Sequence, residues 1–160
     1  PDFLVKVLPA FRPDKATAVE NPAVYNTYLE GLSAVSGIAI SDYDSLLAAM
    51  KARHDFFHQA GCRLSDHGLE RPYAADFTPD EIPRIFAKVR RNEPPTPLET
   101  ERFKTAVLLE LARLDADRNW TQQFHFGALR NTNTRALESL GPDSGYDTIG
   151  DFVVGEKIAV

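Results

Sequence analysis

Sulfur is scarce in this chain: its 160 residues include one cysteine, Cys62, and one methionine. A lone thiol leaves no intrachain disulfide, so the fold must be held by packing rather than by covalent staples. Long apolar runs are missing as well. No stretch approaches the ~20 consecutive apolar residues that cross a bilayer, and no signal-peptide pattern is present, so a membrane partner is not expected. Basic charge is in deficit, with 18 Lys and Arg against 23 Asp and Glu and a net charge of −5. That balance has no general attraction for polyanions and argues against nucleic acid as a partner. The short cluster Lys88-Val89-Arg90-Arg91 suits a solvated helix end. No repeated motif occurs, which excludes a solenoid. What remains is an apolar fraction of 43% and a charged fraction of 26%, enough for one globular domain with a real core.

Three short apolar runs punctuate the chain: Phe3 to Leu8, Cys62-Arg63-Leu64, and Trp120 to Phe124. Each has the length of a strand. Helical patterns fill the intervals. Asn21-Pro22 reads as an N-cap with proline at the first helical position, opening a helix that ends near Gly37. A second helix begins near Ser41 or Asp42 and ends at Ala60-Gly61. Thr78-Pro79-Asp80-Glu81 starts a third, and a long fourth runs from about Leu98 to Asp117 with Phe103, Val107, Leu108, Leu111 and Leu114 as its stripe. Strands alternating with helices predict an α/β fold with parallel strands and crossover helices. Neither end carries a start or stop signal, so the whole of 1–160 reads as part of a single domain, cut at both ends.

The exits of the three runs are rich in polar groups. Arg12, Asp14 and Lys15 follow the first, Ser65-Asp66-His67-Gly68 the second, and His125 to Asn131 the third. Polar groups gathered at the C-terminal ends of parallel strands are how α/β sheets and barrels build active sites. Each residue also has a plainer reading. Asp66 before His67-Gly68 suits a turn, His67 and His125 suit buried structural histidines, and Arg12 suits a surface position. His54 and His58 stand at the i, i+4 spacing of a helical metal pair. No third ligand accompanies them, and an ordinary helix face is the preferred reading.

The segments Arg53 to His58, Gly61 to Gly68, Trp120 to Arg135 and Leu140 to Asp151, with Phe11-Arg12-Pro13-Asp14-Lys15, closely resemble uronate (glucuronate) isomerase of the amidohydrolase superfamily. The resemblance runs in order along essentially the whole chain. It implies a distorted (β/α)8 TIM barrel, of which this chain would supply the central portion, about three parallel strands, the third to the fifth. It implies the aldose–ketose isomerisation of D-glucuronate to D-fructuronate, and of D-galacturonate to D-tagaturonate, in hexuronate catabolism. It implies a cytoplasmic enzyme, a small-molecule hexuronate substrate, a homo-oligomer, and a divalent metal, commonly zinc. His125 and Asp66 would then be catalytic. Arg12, Asp66, His67 and Arg130 would contact substrate, with His125 also near the metal.

The sequence departs from the family in lacking the His-x-His metal pair and the acidic and arginine partners of the eighth strand. The metal site is therefore expected to be incomplete in this chain, and the chain alone is expected to be inactive. Its open sheet edges invite association or strand exchange. Two alternatives share the observations: a metal-dependent hydrolase of the same superfamily, and a small non-enzymatic binding domain.

Overall fold

A computed structural model describes residues 4–158. Four helices carry most of its buried core, and three of them open on a side-chain cap. In α1 (Pro22–Ser36), the Asn21 side chain accepts a hydrogen bond from the Val24 amide, and Gly37 closes the helix at φ 71°, a left-handed conformation that glycine adopts without steric cost. The helix α2 (Tyr43–Gln59) opens with a reciprocal capping box between Asp42 and Ser45. The helix α3 (Glu81–Arg90) buries Ile82, Ile85, Phe86 and Val89 along one stripe. A second capping box, between Thr96 and Glu99 with Pro97 at the first position, opens α4 (Pro97–Asp117). Capping boxes satisfy amides that the first turn leaves without partners. Among the described residues, no helix is long and apolar enough to cross a membrane.

These helices meet around Phe103 of α4, which packs against Tyr25, Tyr43 and Phe86 at ring-centroid distances of 6.2, 5.9 and 6.3 Å. Leu29, Leu46, Ile82 and Val107 complete a dry centre. Each such side chain contributes about 1.5–3 kcal/mol when fully buried.

The strands lie on one side of this helical layer. β1 (Leu64–Leu69) pairs in parallel with β2 (Thr121–Phe126), with Asp66 opposite Gln123 and Gly68 opposite His125. The crossover between them carries α3 and α4, as expected for parallel neighbours. On the other edge of β1, Phe11 forms a single parallel bridge to Ser65. Its amide donates to the Leu64 carbonyl at 3.2 Å, and its carbonyl accepts from the Asp66 amide at 2.8 Å. Beyond β2, a short antiparallel pair joins β3 (Ala128–Leu129) to β4 (Thr148–Ile149). The helix α5 (Thr134–Leu140) lies between them, and α6 (Gly155–Ile158) follows.

The strand positions correct the sequence reading in three places. The run Phe3 to Leu8 is not a strand: Phe3 lies outside the described residues, and Leu4, Val5, Val7 and Leu8 have no regular structure and are exposed. Ladder contact on that side comes from Phe11 alone. The other two strands extend further than their apolar runs. Asp66, His67 and His125 therefore lie within strands rather than after them. The reason is that hydrogen bonding sets a strand's length, while polar side chains can occupy the face that no helix covers.

Candidate active site

Side chains alternate across a strand, so the β1–β2 ladder has two faces. Ser65, His67 and Leu69 are buried toward the helices. Asp66 and Gly68 of β1, with Gln123 and His125 of β2, share the opposite face, which no helix covers. Parallel pairing in register puts Asp66 beside Gln123 and one step from His125.

On that open face, His125 Nδ1 lies 2.6 Å from Asp66 Oδ1. The Gln123 amide nitrogen is 3.3 Å from the same oxygen and 3.2 Å from His125 Nε2. The assignment that satisfies all three contacts has His125 Nδ1–H donating to Asp66, with Nε2 accepting from Gln123. The imidazole thus has its orientation fixed by a carboxylate, with Nε2 as its acceptor nitrogen. The other oxygen of Asp66 faces Arg12 Nη1 at 3.4 Å. Arg12 is also held by Asp14, whose Oδ2 accepts from Nε at 2.9 Å. The hydrogen bond to Asp14 raises the pKa of the guanidinium, against an opposing effect of desolvation. Guanidinium, carboxylate and imidazole therefore stand in a row: Arg12, Asp66, His125.

The structure brings together three of the sequence-predicted site residues and separates two. His67 is one residue from Asp66 and so points to the opposite face. It is 1% exposed, its ring stacks on Phe124, and its Nε2 contacts Ser65 Oγ at 3.0 Å. Burial lowers its pKa. Arg130 lies beyond β2, where it donates to Asp147 at 2.6 Å. The Asn131 amide and Arg130 together hold Asp147 below the usual carboxylate range. Two participants escaped the sequence reading as site residues. Gln123 sits two residues before His125, so the period of a strand already placed it on the same face. Asp14 stood in the sequence beside Arg12, but its contact with β1 is visible only in three dimensions.

The i, i+4 histidines of α2 do not act as a pair. His54 is fully buried, with Nε2 3.1 Å from Asp115 of α4. His58 Nδ1 accepts from the Trp120 indole at 3.0 Å. Asp115 also accepts from Ser65 Oγ at 2.6 Å, so one carboxylate ties α2, α4 and β1 together.

Parallel strands joined by crossover helices define an α/β fold. Comparison with known proteins narrows the class. Residues 1–160 match the glucuronate isomerase family. The uronate isomerase of Bacteroides thetaiotaomicron is 50% identical over 157 residues, which cover 98% of this chain and 34% of that protein. That of Cellvibrio japonicus is 46% identical over 157 residues, covering 98% of this chain and 33% of that one. The crystal structure of uronate isomerase from Thermotoga maritima superposes with a TM-score of 0.86 at 29% identity, covering 95% of this chain and 34% of that one. Glucuronate isomerase from Caulobacter crescentus superposes with a TM-score of 0.82 at 29% identity, over 96% of this chain and 32% of that one. The chain belongs to the glucuronate isomerase family, and it spans about a third of the length of the relatives it matches.

Proposed function

We propose that this chain supplies the central part of a (β/α)8 barrel that isomerises a hexuronate between aldose and ketose. In that barrel Phe11, β1 and β2 stand for the third, fourth and fifth strands. The row Arg12–Asp66–His125 on the open sheet face carries the reading. A uronic acid presents a carboxylate, and Arg12 offers it a planar two-donor edge. Asp66 and His125 are the proton-handling groups. In the reaction C2 gives up a proton and C1 receives one. The C1 carbonyl becomes a hydroxyl as the C2 hydroxyl becomes a carbonyl, so no oxidant or second reactant is needed. A neutral imidazole steadied by a carboxylate can accept and return such a proton near neutral pH. For this, the C2–H bond of the substrate takes the place of the Gln123 amide at Nε2. His67 and Arg130 would act on substrate only indirectly, through the positions they support.

The divalent metal implied by the family resemblance does not fit these residues alone. No group of three His, Cys, Asp or Glu among the described residues could hold a metal ion, and Asp66 and His125 already engage each other. Zinc would need its other donors from elsewhere in the enzyme, with His125 the residue of this chain offered to it. The compartment in this reading is the cytoplasm. Assembly of the enzyme is homo-oligomeric; in the 160-residue chain alone, the edge of β2 that no described strand pairs supports strand exchange between copies.

The test is a chimera in which this chain replaces the matching third of the Bacteroides thetaiotaomicron protein. Conversion of D-glucuronate to D-fructuronate is expected from the chimera, and none from the 160-residue chain alone. A folded chimera without conversion would count against the proposal.

A further inference from the structure

Asp14 has no part in the chemistry above, yet its carboxylate is the most constrained group beside it. Its Oδ2 is shared by two donors, Arg12 Nε at 2.9 Å and the Gly68 backbone N–H at 3.1 Å. The first contact fixes the plane of the guanidinium. The second fixes the carboxylate to β1, the strand that carries Asp66. Its Oδ1 is buried and has no hydrogen-bond partner, and the nearest titratable nitrogen is His67 Nδ1 at 3.9 Å. Behind it, His67 Nε2 meets Ser65 Oγ, which donates to Asp115. Asp14 is thus clamped between the open face and the buried polar chain under the sheet.

We infer that Asp14 is the positioning residue of Arg12. Because Asp14 takes Nε, the Nη1 and Nη2 donors are left for the open face, where Nη1 already faces Asp66. That edge is the one a carboxylate grips with two parallel hydrogen bonds. Without Asp14, Arg12, whose side chain is 48% exposed, is left with Asp66 at 3.4 Å as its closest described carboxylate and Asp143 further off. It would then collapse onto Asp66 and compete with His125 for it. Asp14 therefore does two things: it aims Arg12 at an anionic ligand, and it keeps the Asp66–His125 pair free. Gly68 is part of the same device. A Cβ at Gly68 would lie 2.2 Å from Arg12 Nη2, so the guanidinium can lie across β1 only because that position has no side chain.

The inference rests on the proposed isomerase only for its functional arm, so two experiments separate the two. In the 160-residue chain, nitrogen–proton NMR follows the Arg12 Nε–H directly. A distinct, slowly exchanging Nε–H signal is expected in the unsubstituted chain. It should vanish in Asp14→Asn and Asp14→Ser and return in part in Asp14→Glu, while backbone signals of β2 stay in place. An Nε–H signal that survives both Asp14→Asn and Asp14→Ser overturns the inference, whatever the enzyme does. In the chimera, Asp14→Asn should raise KM for glucuronate about tenfold with kcat changed by less than about threefold. A fall in kcat at constant KM overturns it as well. A chimera that does not isomerise at all defeats the proposed function and leaves the NMR arm to decide the role of Asp14.

Discussion

Two histidine–aspartate pairs sit on opposite faces of the same parallel ladder. His54 and Asp115 lie under it, with side chains 1% and 4% exposed. His125 and Asp66 lie above it, at 59% and 16%. The residue types are identical and their neighbours are not. In the lower pair, the His54 ring is tilted against Trp120 at 3.9 Å between centroids, and Asp115 is locked to Ser65. The upper pair has a guanidinium at one end and an amide that solvent or ligand can displace at the other. A buried pair cannot exchange its proton with solvent, and its loss strands charged or polar groups in a dry place. An exposed pair contributes little to stability and keeps its proton available. Composition cannot tell a structural pair from a chemical one, but the face of the strand can.

Four changes would break or sharpen that contrast. The largest effect is expected from Asp115→Ala, which leaves His54 and Ser65 without their shared acceptor. Urea unfolding should show a loss of about 3–5 kcal/mol. Asp66→Asn should alter stability by no more than about 1 kcal/mol. In the chimera, however, it should lower turnover by about a hundredfold. If the two substitutions cost equal stability, the contrast between the faces fails. Gly68→Ala should displace Arg12 and raise KM for glucuronate about tenfold, while thermal unfolding shows the helical layer intact. The smallest effect concerns pH. Burial depresses the pKa of folded His67 below 6.5, so the unfolded chain binds a proton there more readily than the folded one. The stability associated with neutral His67 is full above pH about 6.5. It should fall as the pH drops from there toward the depressed folded value. Urea midpoints across that range should show the slope, and His67→Gln should flatten it. His58 shifts in the same direction, mainly through desolvation, but is only half-buried, so its share is smaller.

The helices were legible in the sequence because their signals are local. Asn21-Pro22, Asp42, Thr78 to Glu81 and the Phe103 stripe depend on near neighbours and on 3.6-residue periodicity, and each marks an element that the structure contains. The strands were less so. Apolarity drew attention to Phe3 to Leu8, but ladder pairing is decided by a distant partner, and the described part of that segment has none. β3 and β4 are two residues each, too short for any periodicity, and they exist through each other. Within the site, grouping Asp66 with His67 treated neighbours in sequence as neighbours in space. In a strand, one residue is the difference between the two faces. Counting by twos instead would have joined Asp66 to Gly68, and Gln123 to His125.

The ladder also sets an order of opening in time. Among the described residues, β1 is flanked on both sides, by β2 along its length and by Phe11 at Ser65, whereas β2 has a strand on one side only. The Thr121 amide points inward to the Arg63 carbonyl, so the alternate amides of Gln122, Phe124 and Phe126 point outward. Amide hydrogens on β1 should therefore be the last to exchange with deuterated solvent, and those three on β2 among the first. One strand would then show two clocks, a slow one on its inner edge and a fast one on its outer edge.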